Sequence, residues 1–196
     1  MKNRCAEVNR KTAETDIKLT LDVDGGGKAD IDTGIGFFDH MLIIFAKHSL
    51  MDISITCKGD LEVDGHHTVE DVGIVLGMAL KKALGDKRSI NRYGQITLPM
   101  DEALVSACVD VSGRPLLVLK GEVPHGMVGQ FDGQLLEEFL RGFAHNSGMT
   151  IHINIHYGIN THHIIEGVFK ALARAVRQAV AIDDKMEGIP STKGVL

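Results

Sequence analysis

His66-His67-Thr68-Val69-Glu70 and His162-His163-Ile164-Ile165-Glu166 are two copies of one H-H-x-x-E pattern in a chain of 196 residues. Each copy stands at the head of a stretch with helical spacing. Positions three or four apart share a helix face, so each glutamate lies on the side of one or both of its histidines. Neighbouring residues diverge by about 100° around the axis, so one adjacent pair does not easily grip a single ion. The pattern fits two metal ions held by a duplicated device. Helix-start histidines also serve as local caps, and one pair alone would not separate these readings. Two pairs with a glutamate at matched spacing favour ligation.

Outward from these heads the chain reads as a repeat. In the first half, Asp16–Val23 alternates like a half-buried strand. Asp24-Gly25-Gly26-Gly27 is a turn signal, and Lys28–Thr33 returns as a strand. A helix is expected from Phe37 to Ser49, a strand over Met51–Cys57, and a helix from His66 to Leu84 with Gly85 as its C-cap. The second half gives strands over Gln95–Met100, Ala103–Val111 and Leu116–Lys120, then a long loop over Gly121–Asp132. A helix follows from Leu135 to His145, a strand over Met149–Tyr157, and a final helix to Ile182 with Thr161 as its N-cap. Phe45-Ala46 overlays Phe143-Ala144, Ser49 overlays Ser147, and Ile53 and Ile55 overlay Ile151 and Ile153. The expected fold is α+β: two half-domains, each a small mixed β-sheet with two helices on one face, packed with pseudo-two-fold symmetry. They form one domain over 1–196, with the repeat divided as 1–93 and 94–196.

Composition narrows the functional classes. A hydrophobic content of 44% with 24% charged residues fits a globular protein. No apolar run has membrane-spanning length, and no signal-peptide core is expected at the start. Cys5, Cys57 and Cys108 are odd in number and lack C-x-x-C spacing, which reads as reduced thiols in a cytoplasmic protein. A net charge of -5 argues against a nucleic-acid surface. The ten histidines, several of them clustered, are the anomaly.

Imidazole and carboxylate without thiolate suit Mn, Fe, Co, Ni or Zn at a site with open positions. His40 lies in an apolar helix, and His152 points away from Ile151 and Ile153 on its strand. Taken alone, each reads better as a structural histidine. Their overlay partners are Glu138 and Ser54, so a symmetric frame would carry unequal ligands. Arg92, Arg114 and the tail Pro190-Ser191-Thr192-Lys193-Gly194 each set a cation or hydroxyl beside a turn, which suits an anion. Taken singly they are ordinary turn residues, and no P-loop is present because the preceding glycine pattern is missing. Glu14 and Asp101-Glu102 are acids placed between strands, and exposed acids are common.

In this order the segments Arg10-Lys11-Thr12-Ala13-Glu14-Thr15, Thr33-Gly34-Ile35-Gly36-Phe37-Phe38-Asp39-His40-Met41-Leu42, Asp64-Gly65-His66-His67-Thr68-Val69-Glu70-Asp71, Met100-Asp101-Glu102-Ala103, Asp110-Val111-Ser112-Gly113-Arg114-Pro115, Asn160 to Ala175 and Pro190-Ser191-Thr192-Lys193-Gly194 are specific. Over essentially its whole length the chain resembles imidazoleglycerol-phosphate dehydratase, a lyase of histidine biosynthesis. Ser89 departs from an expected glycine, the sequence stops soon after Lys193, and the phosphatase activity of the domain fused to some relatives is not expected.

The resemblance implies removal of water from D-erythro-imidazoleglycerol phosphate to give imidazoleacetol phosphate. It implies two Mn2+ per active site and a homo-oligomer of 24 subunits built from trimers, with sites between subunits and neither nucleic acid nor membrane as partner. The implied metal ligands are His40, His66, His67, Glu70, His152, His162, His163 and Glu166. Phosphate would meet Arg92, Arg114, Ser191 and Lys193, with further substrate contacts from Glu14, His40, His66, His67, His162 and Lys170. Catalysis would fall on Glu14, Glu166, His67 and His163. Two Lewis acids flanking the ring would favour its imidazolate, which can expel hydroxide. A two-metal phosphatase is the rival reading, and it would release free phosphate. A metal-assembled structural protein would turn over nothing.

Overall fold

The protein is described by a computed structural model that covers residues 4–123 and 125–196. The first half runs β1 (Cys5–Lys11), β2 (Thr15–Asp22), β3 (Ala29–Asp32), α1 (Gly36–Ser49), β4 (Asp52–Gly59) and α2 (His66–Leu84). The second runs β5 (Tyr93–Met100), β6 (Ala103–Asp110), β7 (Leu116–Lys120), a hairpin of β8 (Met127–Val128) and β9 (Phe131–Asp132), α3 (Leu135–Ser147), β10 (Thr150–Tyr157) and α4 (Thr161–Val180). The two four-stranded sheets have orders β1-β2-β4-β3 and β5-β6-β10-β7. In each, three strands are antiparallel and the last edge strand, β3 or β7, runs parallel to its neighbour. The duplication is therefore a duplication of topology, with β8-β9 as the insert.

Alternation fixes which face is covered. Ile17, Leu19 and Leu21 on β2 pair with Cys57, Ile55 and Ile53 on β4, and all are buried. Ile151, Ile153 and Ile155 on β10 do the same against Val109, Ala107 and Val105 on β6. The intervening Lys18 and Thr20, and His152, Asn154 and His156, face outward, as expected of a sheet covered on one side only.

The helices cover the inner faces, and each packs on a helix of the other half: α2 on α3, and α1 on α4. A Cβ on Gly73 of α2 would lie 2.6 Å from Phe139 O, and one on Gly77 would lie 2.7 Å from Phe143 O. The missing side chains thus set how closely α2 and α3 approach. The overlaid residues Phe45 and Phe143 meet edge-on, with ring centroids 5.9 Å apart. Ser49 Oγ and Ser147 Oγ each donate to a carbonyl one turn back, Ala46 O and Ala144 O, at 3.2 Å. Among the described residues no helix is long and apolar enough to cross a membrane.

Two expectations need correction. Thr161 is already helical, and the N-cap of α4 is Asn160, whose Oδ1 accepts from His162 N at 2.9 Å and His163 N at 3.3 Å. A carboxamide oxygen reaches the free N–H groups of the first turn, which is why Asn is favoured there. The expected loop after β7 holds the β8-β9 hairpin, whose two-residue strands are too short to show alternation.

Candidate metal and phosphate site

The heads of α2 and α4 present their histidines in matching ways. His67 Nδ1 lies 3.0 Å from Asp60 Oδ2, and its Nε2 lies 3.7 Å from Glu14 Oε1. His163 Nδ1 lies 2.6 Å from Glu102 Oε2, and its Nε2 lies 3.7 Å from Asp101 Oδ2. Donation of Nδ1–H to a carboxylate would leave the Nε2 lone pair open to a metal. Glu14 and Asp101 occupy the same place in the two repeats, the turn between the first and second strands. The Nδ1 partners do not correspond: Asp60 follows β4, whereas Glu102 shares the β5–β6 turn.

These contacts shift the titrating groups. The hydrogen bond to Asp60 holds the His67 imidazole above its usual pKa, and Glu102 does the same for His163. Glu102 itself is drawn down to about 2, first by the Asn160 backbone N–H and then by His163. Its Oε1 accepts from Asn160 N at 2.7 Å and Ile159 N at 3.1 Å, tying the β10–α4 loop to the β5–β6 turn.

One three-residue group has the makings of a cation site. His40 of α1 and His162 of α4 place Nε2 atoms 3.9 and 3.0 Å from Glu166 Oε2. The ligand atoms of all three lie within 4.8 Å of one another. Two imidazoles and a carboxylate suit a divalent transition metal. Burial pushes the Glu166 carboxyl up, but the ammonium of Lys170, 2.6 Å from Oε1, and the ring of His162 outweigh it and leave the group below its usual pKa. His66 Nε2 stands 3.7 Å from Glu70 Oε2 one turn along α2. His152 lies on the outward face of its sheet, beside Cys108 and Val118, on the side away from the helices. Of the eight expected ligands, the chain joins three in one group. His66 and Glu70 form a pair, His67 and His163 are held by acids, and His152 stands apart.

The expected phosphate residues converge elsewhere, at the start of β5. Arg92 donates from Nε to Asp110 Oδ1 at 2.8 Å and from Nη2 to Oδ2 at 3.2 Å, while its Nη1 donates to Pro190 O at 2.9 Å. Arg114 Nη2 lies 3.9 Å from the same Asp110. Ser191 follows directly on Pro190, and its Oγ accepts from Lys193 N at 3.2 Å. The tail is thus folded against the arginine clamp. The sequence reading gave no role to Asp60 or Asp110. Asp60 sits among several loop acids, and only its seven-residue offset from His67 marks it; Asp110 lies in a quoted segment but carries no pattern of its own.

Several residues flanking the candidate ligands are structural. Asp71, next to Glu70, accepts from Thr15 Oγ1 at 2.5 Å and pairs with Arg10, fastening α2 to the β1–β2 turn that carries Glu14. Asp39, next to His40, accepts from Thr33 N and Oγ1 and so fixes the start of α1.

Fold and site together define a class: a duplicated α+β protein with histidine and carboxylate donors suited to divalent metal and a loop where Arg92 and Arg114 meet at Asp110. The family model described as imidazoleglycerol-phosphate dehydratase matches residues 33–176. Proteins of that name are 58% identical over 193 residues in Clostridium kluyveri, covering 98% of this chain and 100% of that protein. In Thermoanaerobacter pseudethanolicus the identity is 59% with the same coverage. The Staphylococcus aureus dehydratase structure superposes with a TM-score of 0.83 at 38% identity, covering 91% of this chain and 99% of that one. The Pyrococcus furiosus structure does so at 0.83 and 40%, covering 96% and 100%. The chain belongs to the imidazoleglycerol-phosphate dehydratase family.

Proposed function

We propose that this chain is a hydro-lyase that converts D-erythro-imidazoleglycerol phosphate to imidazoleacetol phosphate and water, a step of histidine biosynthesis. Family membership carries the reading, and one structural observation supports its chemistry: matched His67 and His163 heads, each with Nδ1 held and Nε2 outward. The single dehydratase domain spans 1–196, with repeats 1–93 and 94–196, and works in the cytoplasm.

The metal is Mn2+, two ions per active site, held by His40, His66, His67, Glu70, His152, His162, His163 and Glu166. Because one chain gathers only part of this set, the complete site draws on neighbouring copies. A homo-oligomer of 24 subunits built from trimers fits that need. When bound, the ions supply Lewis acidity that stabilises negative charge on the substrate's ring.

The chain's own groups position the arm and move protons. Arg92, Arg114, Ser191 and Lys193 hold the phosphate, and binding energy far from the reacting carbons is converted into orientation. Hydroxide leaves the ring-bearing carbon, a proton leaves the next carbon, and the resulting enol tautomerises to the ketone. Glu14, exposed and beside His67 Nε2, is placed to carry these protons, a contribution of about 10²–10⁴-fold in rate. Glu166, buried and paired with Lys170, stays ionised as ligand and second acid–base group. His40, His66, His67, His162 and Lys170 line the ring side.

The test is incubation of the Mn2+-loaded protein with imidazoleglycerol phosphate. Formation of the enolisable ketone supports the reading. Release of inorganic phosphate without ketone would replace it with a phosphatase. Arg114→Ala is expected to raise KM by about 10- to 100-fold, the loss of one charge-assisted contact.

A further inference from the structure

The loop joining the repeats, residues 85–92, is unusually strained. Lys87, Ser89 and Arg92 all have positive φ, at 57°, 57° and 70°. Residues with side chains avoid this region, and clusters of such strain persist where surrounding structure enforces them. Here the enforcement is visible. Ser89 N donates to Gly188 O at 2.7 Å, Asp183 N donates to Ser89 O at 2.8 Å, and Arg92 N donates to Ala179 O at 2.8 Å.

This loop covers the stem of Lys87. Lys87 is 6% exposed. Among the described residues it makes no side-chain hydrogen bond or ion pair. The stem is covered while Nζ keeps contact with solvent, so the ammonium is open to an anion. Its Nζ lies 3.5 Å from where a Cβ on Gly113 would sit. Gly113 is the centre of the Ser112–Pro115 turn that carries Arg114, and a side chain there would also meet the backbone of Leu196 at 2.6 Å. Lys87, Arg92 and Arg114 therefore surround one turn, with Asp110 as the acid between the two arginines. Burial lowers the Lys87 pKa, and the Lys81 charge adds to that, while Asp110 opposes both. Cations outnumber carboxylates around this turn, which suits the roughly −1.5 to −2 charge of a phosphate monoester.

We propose that Lys87 is a fourth cation of the phosphate pocket, beside Arg92, Arg114 and Lys193, its ammonium meeting a phosphate oxygen across Gly113. This rests on the dehydratase reading above and adds a residue that the sequence motifs did not mark. Gly113 is held to glycine by its φ of 72° and by the Leu196 backbone, 2.6 Å from where a Cβ would sit.

The experiment compares the Mn2+-loaded wild-type protein with Lys87→Met, which keeps the apolar stem. The probes are inorganic phosphate as inhibitor and 1,2,4-triazole as a phosphate-free ring ligand. Inhibition by inorganic phosphate is expected to weaken by about 10- to 100-fold, with KM rising in step, because one charge-assisted hydrogen bond is lost. kcat and inhibition by triazole are expected to stay within a few-fold. A folded Lys87→Met protein with unchanged phosphate inhibition and KM overturns the proposal. Should the wild type turn over no imidazoleglycerol phosphate, the dehydratase reading falls first. Should Lys87→Met fail to melt cooperatively, a crystal of wild type grown with inorganic phosphate decides. An anion oxygen about 3 Å from Lys87 Nζ supports the role, and an anion beyond hydrogen-bond reach overturns it.

Discussion

Ser89 is a side chain at odds with its backbone. At φ 57° it occupies a conformation that costs a non-glycine residue about 1–2 kcal/mol, and its hydrogen bonds to the tail use only backbone atoms. Ser89→Gly is expected to stabilise the protein by about 1 kcal/mol in urea unfolding, offset in part by a freer unfolded chain. Glu102 gives a pH-dependent prediction. Its folded pKa of about 2 lies below the ordinary 4.5, so its contribution is complete above 4.5 and disappears as the pH falls towards 2. The melting-temperature gap between metal-free wild type and Glu102→Gln should be widest above pH 5 and close as the pH falls through that window. At this scale the histidine pairs were legible because their spacing is local. Glu102 was noticed only as an acid between strands, since its partner His163 is 61 residues away and only the fold joins them. The glycine expected at position 89 came from the family resemblance alone, and the positive φ explains why a glycine belongs there.

The elements that place the candidate ligands meet across the two halves. α2 and α3 approach through Gly73 and Gly77, where backbone oxygens of α3 fill the space a Cβ would need. Gly73→Ala is expected to destabilise by about 1–3 kcal/mol, the cost of forcing closely packed elements apart. Gly36→Ala, where a Cβ would meet nothing within 4 Å, should be neutral or slightly stabilising; thermal melts of the two variants check the contrast. Strands and helices could be read from periods of two and of 3.6 because each sheet is covered on one face. β10 and α4 showed this most clearly. The β8-β9 hairpin and the Asn160 cap escaped, the first for want of length and the second because two cap-forming residues are adjacent. The pairing of helices across the halves had no signature in periodicity, which marks a buried face but not its partner.

At the scale of the molecule, duplication provides two similar histidine heads on an asymmetric frame. His40, His162 and Glu166 converge within one chain, whereas His152 faces away from them on the open side of its sheet. The arginine clamp has no copy elsewhere among the described residues: Arg92, from the loop joining the repeats, and Arg114, from the second, share Asp110. On the proposed function, a site needing all these groups would be completed by assembly, and the active species is expected to be the oligomer. The most direct measurement is the number of Mn2+ ions bound per chain by the assembled wild-type protein and by His163→Ala, from metal analysis after dialysis. The account predicts two ions per chain in the wild type and a clear loss in the variant, whereas full occupancy in a folded, assembled His163→Ala protein would contradict it.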